Sequence, residues 1–402
     1  MAPYESDDST TGAGTDDRRA GRRKKAARYI VPVAVTGVAA ATIGLVPAIA
    51  DSGSPDLPEI SAEQLIQRIA ESDTEQLSGT VKITTDLGLP NLGGLESGLL
   101  SGATGSGGDG SGSSADPQSK LTALAAGTHT LRVAVDGPDR QKLSLLENAA
   151  EYSVIHNGDD VWGYDSASNE VYHSAAAEDA ESGADVPATP KDFAEQTLKA
   201  VDDTTSVTVD GTAQVAGRDA YKLVVKPRQS GSTVGQITIA VDSKTYTPLK
   251  FTLTPAAGGA AVVDAGFTQV DFARPAASTF DFTPPEGAKV TEKSDLPASS
   301  GSEQPKSEED LGKGLDGLNV LGEGWNAIAV LDGGGQGVPS GAEAGGQFGG
   351  FLDSLGDQVS GKFGEGTVFK TRLINALITD DGTVYVGAVT QDALVKAADS
   401  GQ

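Results

Sequence analysis

The residues of this chain that could do chemistry are three histidines, a scatter of carboxylates and two glycine-rich stretches. His129, His156 and His173 fall in or beside alternating apolar patterns. None stands at metal-ligand spacing from another histidine, and the chain has no cysteine to complete a site. Each is expected to be a face residue of a sheet. Gly356-Asp357-Gln358-Val359-Ser360-Gly361-Lys362 fits the start of a phosphate-binding loop. Phe363 comes next, where a Ser or Thr should hold magnesium, and no buried strand is expected before the loop. Gly312, Gly314 and Gly317 have the spacing of a dinucleotide fingerprint but follow a polar linker, not a strand. No G-x-S-x-G elbow occurs. The carboxylates lie along turns and linkers, and carboxylate catalysis needs two that converge. The expectation is a protein with no catalytic residue, no metal site and no cofactor.

The stronger signal is in the elements. From Ser206 to Phe272 apolar residues recur at every second position. Val207 and Val209 share a face, as do Tyr221, Leu223 and Val225. Ile237, Ile239 and Val241 alternate with polar or small residues, and so do Leu249, Phe251 and Leu253. Strand side chains point alternately to opposite faces, so this segment predicts a sheet with one apolar face. Its links, Asp210-Gly211, Ala216-Gly217 and Asp242-Ser243-Lys244, are short and predict an antiparallel meander. Further strands are expected at Val81, Ile83 and Thr85, and at Leu131, Val133 and Val135. Asn157-Gly158 predicts a hairpin joining Tyr152–His156 to Val161–Tyr164. An apolar face needs a cover. Ser61-Ala62-Glu63-Gln64 is a capping box, with Ile60 and Leu65 placed for a hydrophobic staple. Thr189-Pro190 predicts a second helix, with Phe193, Thr197, Ala200 and Val201 along one side.

The rest of the chain sets the organisation. Residues 1–28 are polar, then basic, and are expected to be disordered and cytoplasmic. Residues 29–50 carry no charge and end Ala48-Ile49-Ala50. This run serves either as a transmembrane helix or as a signal peptide cut after Ala50. The basic cluster before Tyr29 would keep that end inside and place the chain beyond Ala50 outside the cytoplasm. The protein is thus expected to be membrane-anchored and extracytoplasmic, or secreted. A main domain spans 60–288, with a Gly/Ser-rich insert at 88–119. A polar linker, 289–309, leads to a small C-terminal α+β module, 310–402. There Trp325, Ala327, Ala329 and Leu331 alternate, and Arg372–Thr379 and Thr383–Gly387 form a hairpin before a short helix capped by Thr390. A formal net charge of -26 makes nucleic acid an unsuitable partner.

The wording of the strands resembles a known group. Val215-Ala216-Gly217-Arg218-Asp219-Ala220-Tyr221-Lys222-Leu223-Val224-Val225, then Ile239-Ala240-Val241-Asp242 and Pro248-Leu249-Lys250, is similar to the core of the LolA/LolB, LppX and RseB superfamily. So is Phe282-Thr283-Pro284-Pro285-Glu286-Gly287-Ala288-Lys289-Val290. The resemblance covers roughly Ser61 to Val290 and is closest to LolA-like envelope proteins of actinobacteria, some of a sporulation-linked branch. It implies a mainly β fold with an α lid: an incompletely closed antiparallel β-barrel with covering helices. Here a small C-terminal ββα-type module would come after it. The absence of cysteine departs from LppX and LolB, which are anchored through a lipidated Cys. The resemblance also implies an apolar cavity for a lipid or lipoprotein acyl chain. Trp162, Tyr164, Tyr221, Leu223, Ile237, Ile239, Leu249, Phe251, Leu253 and Phe267 are its candidate lining. Within the superfamily the alternative is an RseB-like regulator acting on another envelope protein. In a cavity wall, Phe251→Ala is expected to cost little stability.

Overall fold

The computed structural model describes residues 54–72, 74–88, 115, 117, 120, 124, 126–175, 189–292, 318–331 and 356–400. The basic segment 1–28, the apolar run 29–50 and Gly312, Gly314 and Gly317 lie outside the described residues. Among those that are described, no helix is long and apolar enough to cross a membrane.

Twelve strands form one open sheet. They are β1 (Gln76–Thr85), β2 (Gly127–Asp136), β3 (Arg140–Glu147), β4 (Ala150–Asn157), β5 (Asp160–Asp165), β6 (Glu170–Ala175), β7 (Thr205–Val215), β8 (Arg218–Pro227), β9 (Val234–Asp242), β10 (Pro248–Pro255), β11 (Val263–Asp271) and β12 (Lys289–Glu292). Their order is β12-β6-β5-β4-β3-β2-β1-β11-β10-β9-β8-β7. Two local meanders, β2–β6 and β7–β10, are therefore joined through the antiparallel pair β1·β11. The edges, β12 and β7, do not pair with each other, so the sheet is mainly antiparallel and not closed. β12 is the exception in direction, running parallel to β6.

Two helices lie over the β7–β10 half. α1 (Ala62–Ala70) begins with the expected capping box: Gln64 N–H donates to Ser61 Oγ at 3.2 Å, and Ser61 N–H to Gln64 Oε1 at 3.2 Å. α2 (Pro190–Lys199) is capped by Thr189, with Asp192 completing a second box. The first signal depends on residues three apart and the second on a capping residue followed by proline, which is why the sequence alone locates both helices.

Four details depart from the sequence reading. Asp210-Gly211 does not end a strand. β7 runs through it with a register shift between Val209 and Thr212, and Gly211 has φ +76°. The residues that suit a turn also suit a bulge. Lys289–Glu292, expected as linker, is the last strand of the main sheet. Ala115, inside the expected insert, is fully buried, and its carbonyl accepts from Tyr152 Oη at 3.0 Å. Packed structure is thus present within the span expected as insert. Deletion of Ser101–Ser114 is expected to leave the melting temperature nearly unchanged, since that composition offers little to bury. A fall of many degrees by calorimetry would show that it packs. The fourth departure concerns a face in the C-terminal part: Ile328 and Val330 are buried there, not Ala329 and Leu331.

The C-terminal part is a sheet of β13 (Leu318–Leu321), β14 (Ile328–Leu331), β15 (Asp357–Gly361), β16 (Gly364–Lys370), β17 (Asn375–Thr379) and β18 (Val384–Gly387), with α3 (Gln391–Ser400). Its order is β13-β14-β18-β17-β16-β15. Leu377, Tyr385, Leu394 and Ala398 join Ile328 and Val330 in its core. It docks on the main sheet at several places. Arg372 ion-pairs with Asp86 at 2.6 Å and donates to the Ala260 carbonyl. Trp325 Nε1 donates to Thr205 Oγ1 at 2.8 Å. Thr233 N–H donates to the Ala388 carbonyl at 2.9 Å.

Candidate ligand-binding interior

Strand register decides which candidate side chains meet. Residues directly opposite across paired strands share a face. One row reads Val209, Leu223, Ile239, Phe251, Ala265, Ile83 across β7, β8, β9, β10, β11 and β1. The next reads Val207, Val225, Ile237, Leu253, Val263. Tyr221 opposes Val241 on the same face, and Phe267 opposes Val81, which opposes Leu131. This inner face carries the apolar interior.

The interior has two parts. Tyr221, Leu223, Ile237, Ile239 and Phe251 form one cluster with Leu65 of α1 and Ala194 of α2, and Leu253 packs at its margin. Ile66, Ile69, Phe193 and Leu198 close it from the helices, and Trp325 reaches it from the C-terminal part. The Phe193 ring stacks on Phe251 with centroids 5.1 Å apart. Phe251 is only 3% exposed, so in this conformation the helices fill the space beneath them. Phe267 belongs to the second cluster, with Val81, Ile83, Leu131, Leu145 and Tyr152. Leu249 joins it too. The register shift between Pro248 and Lys250 breaks the alternation there and separates Leu249 from Phe251.

Trp162 and Tyr164 lie elsewhere. Trp162 opposes Ile155 and His173, and Tyr164 opposes Ser153 and Val171, on the outer face. Phe282, in the segment between β11 and β12, covers both, at 5.5 Å from Trp162 and 5.8 Å from Tyr164. They fill a separate aromatic group and do not line the interior. Local alternation shows that two residues share a face. It does not show which face is covered.

Polar groups at the rim are paired. Asp242, at the β9–β10 turn, has a side chain 1% exposed. It accepts from Arg218 Nη2 at 3.0 Å, from the N–H of Thr245 at 2.7 Å and of Lys244 at 2.9 Å. Burial pushes its carboxyl up, but Arg218 and these N–H groups outweigh that and hold it below the ordinary range. Asp165, at the far end of the inner face, is paired with Lys120 at 2.9 Å. Burial, with Tyr246 nearby, pushes the Tyr221 hydroxyl up. The residues Gly356–Lys362 that fit a phosphate loop form β15 and the turn after it, which is no cradle for an anion. His129, His156 and His173 all sit in strands, as expected.

Residues 114–292 match the family model described as "Predicted periplasmic protein (DUF2092)". No curated protein matches the chain. Among solved structures, the chain is similar to that of the Pseudomonas aeruginosa MucA/MucB complex, at 16% identity and TM-score 0.38, over 84% of this chain and 96% of that one. It is similar to a LolA superfamily protein from Nitrosomonas europaea, at 10% identity and TM-score 0.21, over 56% of this chain and 99% of that one. It is similar also to a putative outer membrane lipoprotein-sorting protein domain from Vibrio parahaemolyticus, at 12% identity and TM-score 0.20, over 52% and 91%. The LolA/RseB-like wording falls on the structure at identifiable places. Tyr221, Leu223 and Val225 lie on the inner face, and Asp242 makes the Arg218-anchored turn that sets β10 beside β9.

Proposed function

We propose that this chain is an extracytoplasmic, non-catalytic binding protein, and that it holds a lipid or lipoprotein acyl chain against the inner face under α1 and α2. The observation that supports this most is the nature of the cover. One half of a continuous apolar face is roofed by two short helices instead of a second sheet. Such helices can lift without breaking the strand ladder. An acyl chain would then take the place of the Phe193 ring, with about 0.8 kcal/mol gained for each methylene buried. The periplasmic description of the matching family supports the location.

Organic extraction of protein purified from its native envelope, followed by mass spectrometry, tests the reading, together with titration of a fluorescent fatty acid. A co-purifying lipid and saturable probe binding are expected. No lipid and no binding would overturn it. Phe193→Ala removes the group that occupies the site, so it is expected to tighten probe binding several-fold while lowering stability. Unchanged affinity would mean that the chain does not enter beneath α2.

A further inference from the structure

His173 lies between two carboxylates that come from different strands. Its Nδ1 is 2.7 Å from Glu292 Oε2 on β12, and its Nε2 is 2.9 Å from Asp160 Oδ1 on β5. Its ring stacks on Trp162 with centroids 3.9 Å apart. Two carboxylates on two ring nitrogens are both satisfied only by the imidazolium, which has two N–H donors. A neutral ring can donate to one of them and turns a lone pair toward the other. The row continues inward through Trp162 and Ile155 to Lys142 of β3, so the charged groups directly facing the ring are these two carboxylates.

The two sides differ in strength. Asp160 belongs to a strand paired on both sides, with β4 and with β6. Glu292 belongs to a four-residue edge strand held by one parallel ladder. The other ion pair of β12, Lys289 to Glu170 at 3.0 Å, has its lysine 71% exposed and adds little. We propose that His173 is a protonation-dependent latch: as the imidazolium it ties β12 to the β5–β6 edge, and on losing its proton it loosens β12. β12 is the last described strand before the C-terminal sheet begins at Leu318.

Burial lowers the proton affinity of the ring, but Asp160 and Glu292 outweigh it and the net direction is up. A raised folded-state value gives stabilisation that is complete below the unfolded value, about 6.5. It is lost as pH rises through the folded value. Hydrogen exchange of the Lys289–Glu292 amides in the full chain tests this, with each rate divided by the intrinsic rate at the same pH. Between about pH 6 and pH 9, wild-type protection is expected to fall by a factor on the order of ten. In His173→Gln and in Glu292→Gln it is expected to be flat. The same pH dependence in wild type and His173→Gln would overturn the latch. So would a His173 ring that titrates by NMR at or below about 6.5, a measurement on wild type that needs no variant to fold.

Discussion

Phe251→Ala is expected to destabilise the protein by about 3–5 kcal/mol, read as a shift in the midpoint of chemical denaturation. Phe251 is 3% exposed and opposes Ile239 and Ala265 across the ladder, with Phe193 stacked above it. Removing the ring leaves a void that α2 cannot fill without moving. This reverses the expectation drawn from a cavity wall, where truncation would cost little. The filled interior and a binding role are compatible only if α2 moves on binding, so the two measurements belong together. Phe251→Asp is expected to abolish binding of a fluorescent fatty acid, because a carboxylate in an apolar site is poorly solvated. Circular dichroism must show that the variant remains folded. A loss below about 1 kcal/mol for Phe251→Ala would mean that the site collapses freely or is already open.

Asp242→Ala is expected to cost about 3–5 kcal/mol, since it strands a partly buried guanidinium and unties the β9–β10 turn. The carboxylate accepts from Arg218, Lys244 and Thr245 at once, and those bonds have no substitute acceptor in an alanine. The same site makes a pH prediction. Its folded-state value is held below the ordinary one, so its contribution is present above about pH 4, the unfolded carboxylate range. It is lost as pH falls through the folded value. Wild type should therefore lose stability more steeply than Asp242→Asn on acidification below about pH 4, as measured by denaturant titration. Parallel curves for the two proteins would remove Asp242 from the account.

Much of the fold was legible because its signals are local. The period of two in Tyr221–Val225, Ile237–Val241 and Leu249–Leu253 defines strands wherever they pair. The capping box at Ser61 needs only four consecutive residues, and the Thr189-Pro190 start only two. What escaped depends on partners far away in the chain. Trp162 and Tyr164 share a face, but Phe282, more than a hundred positions on, decides that it is the outer one. Lys289-Val290-Thr291-Glu292 has no apolar alternation, and only its position against β6 makes it a strand. Asp210-Gly211 carries the same local chemistry whether the chain turns or bulges. The carboxylates at His173 lie 13 and 119 positions from it.

The seam between β1 and β11 has a kinetic consequence. Ser78 pairs with Asp271 and Thr85 with Val263, while every other antiparallel pairing of the main sheet except β1·β2 joins strands that succeed each other closely in the chain. The two meanders can each form from local contacts, but the seam must close a loop of nearly the whole domain. Loop closure of that length is slow relative to hairpin formation. A chain that emerges from its N-terminus would hold the β1 edge, with Val81 and Ile83 beside it, open until β11 arrives. For that interval the nascent molecule exposes the same apolar face that the finished one covers, and aggregation competes with completion of the sheet.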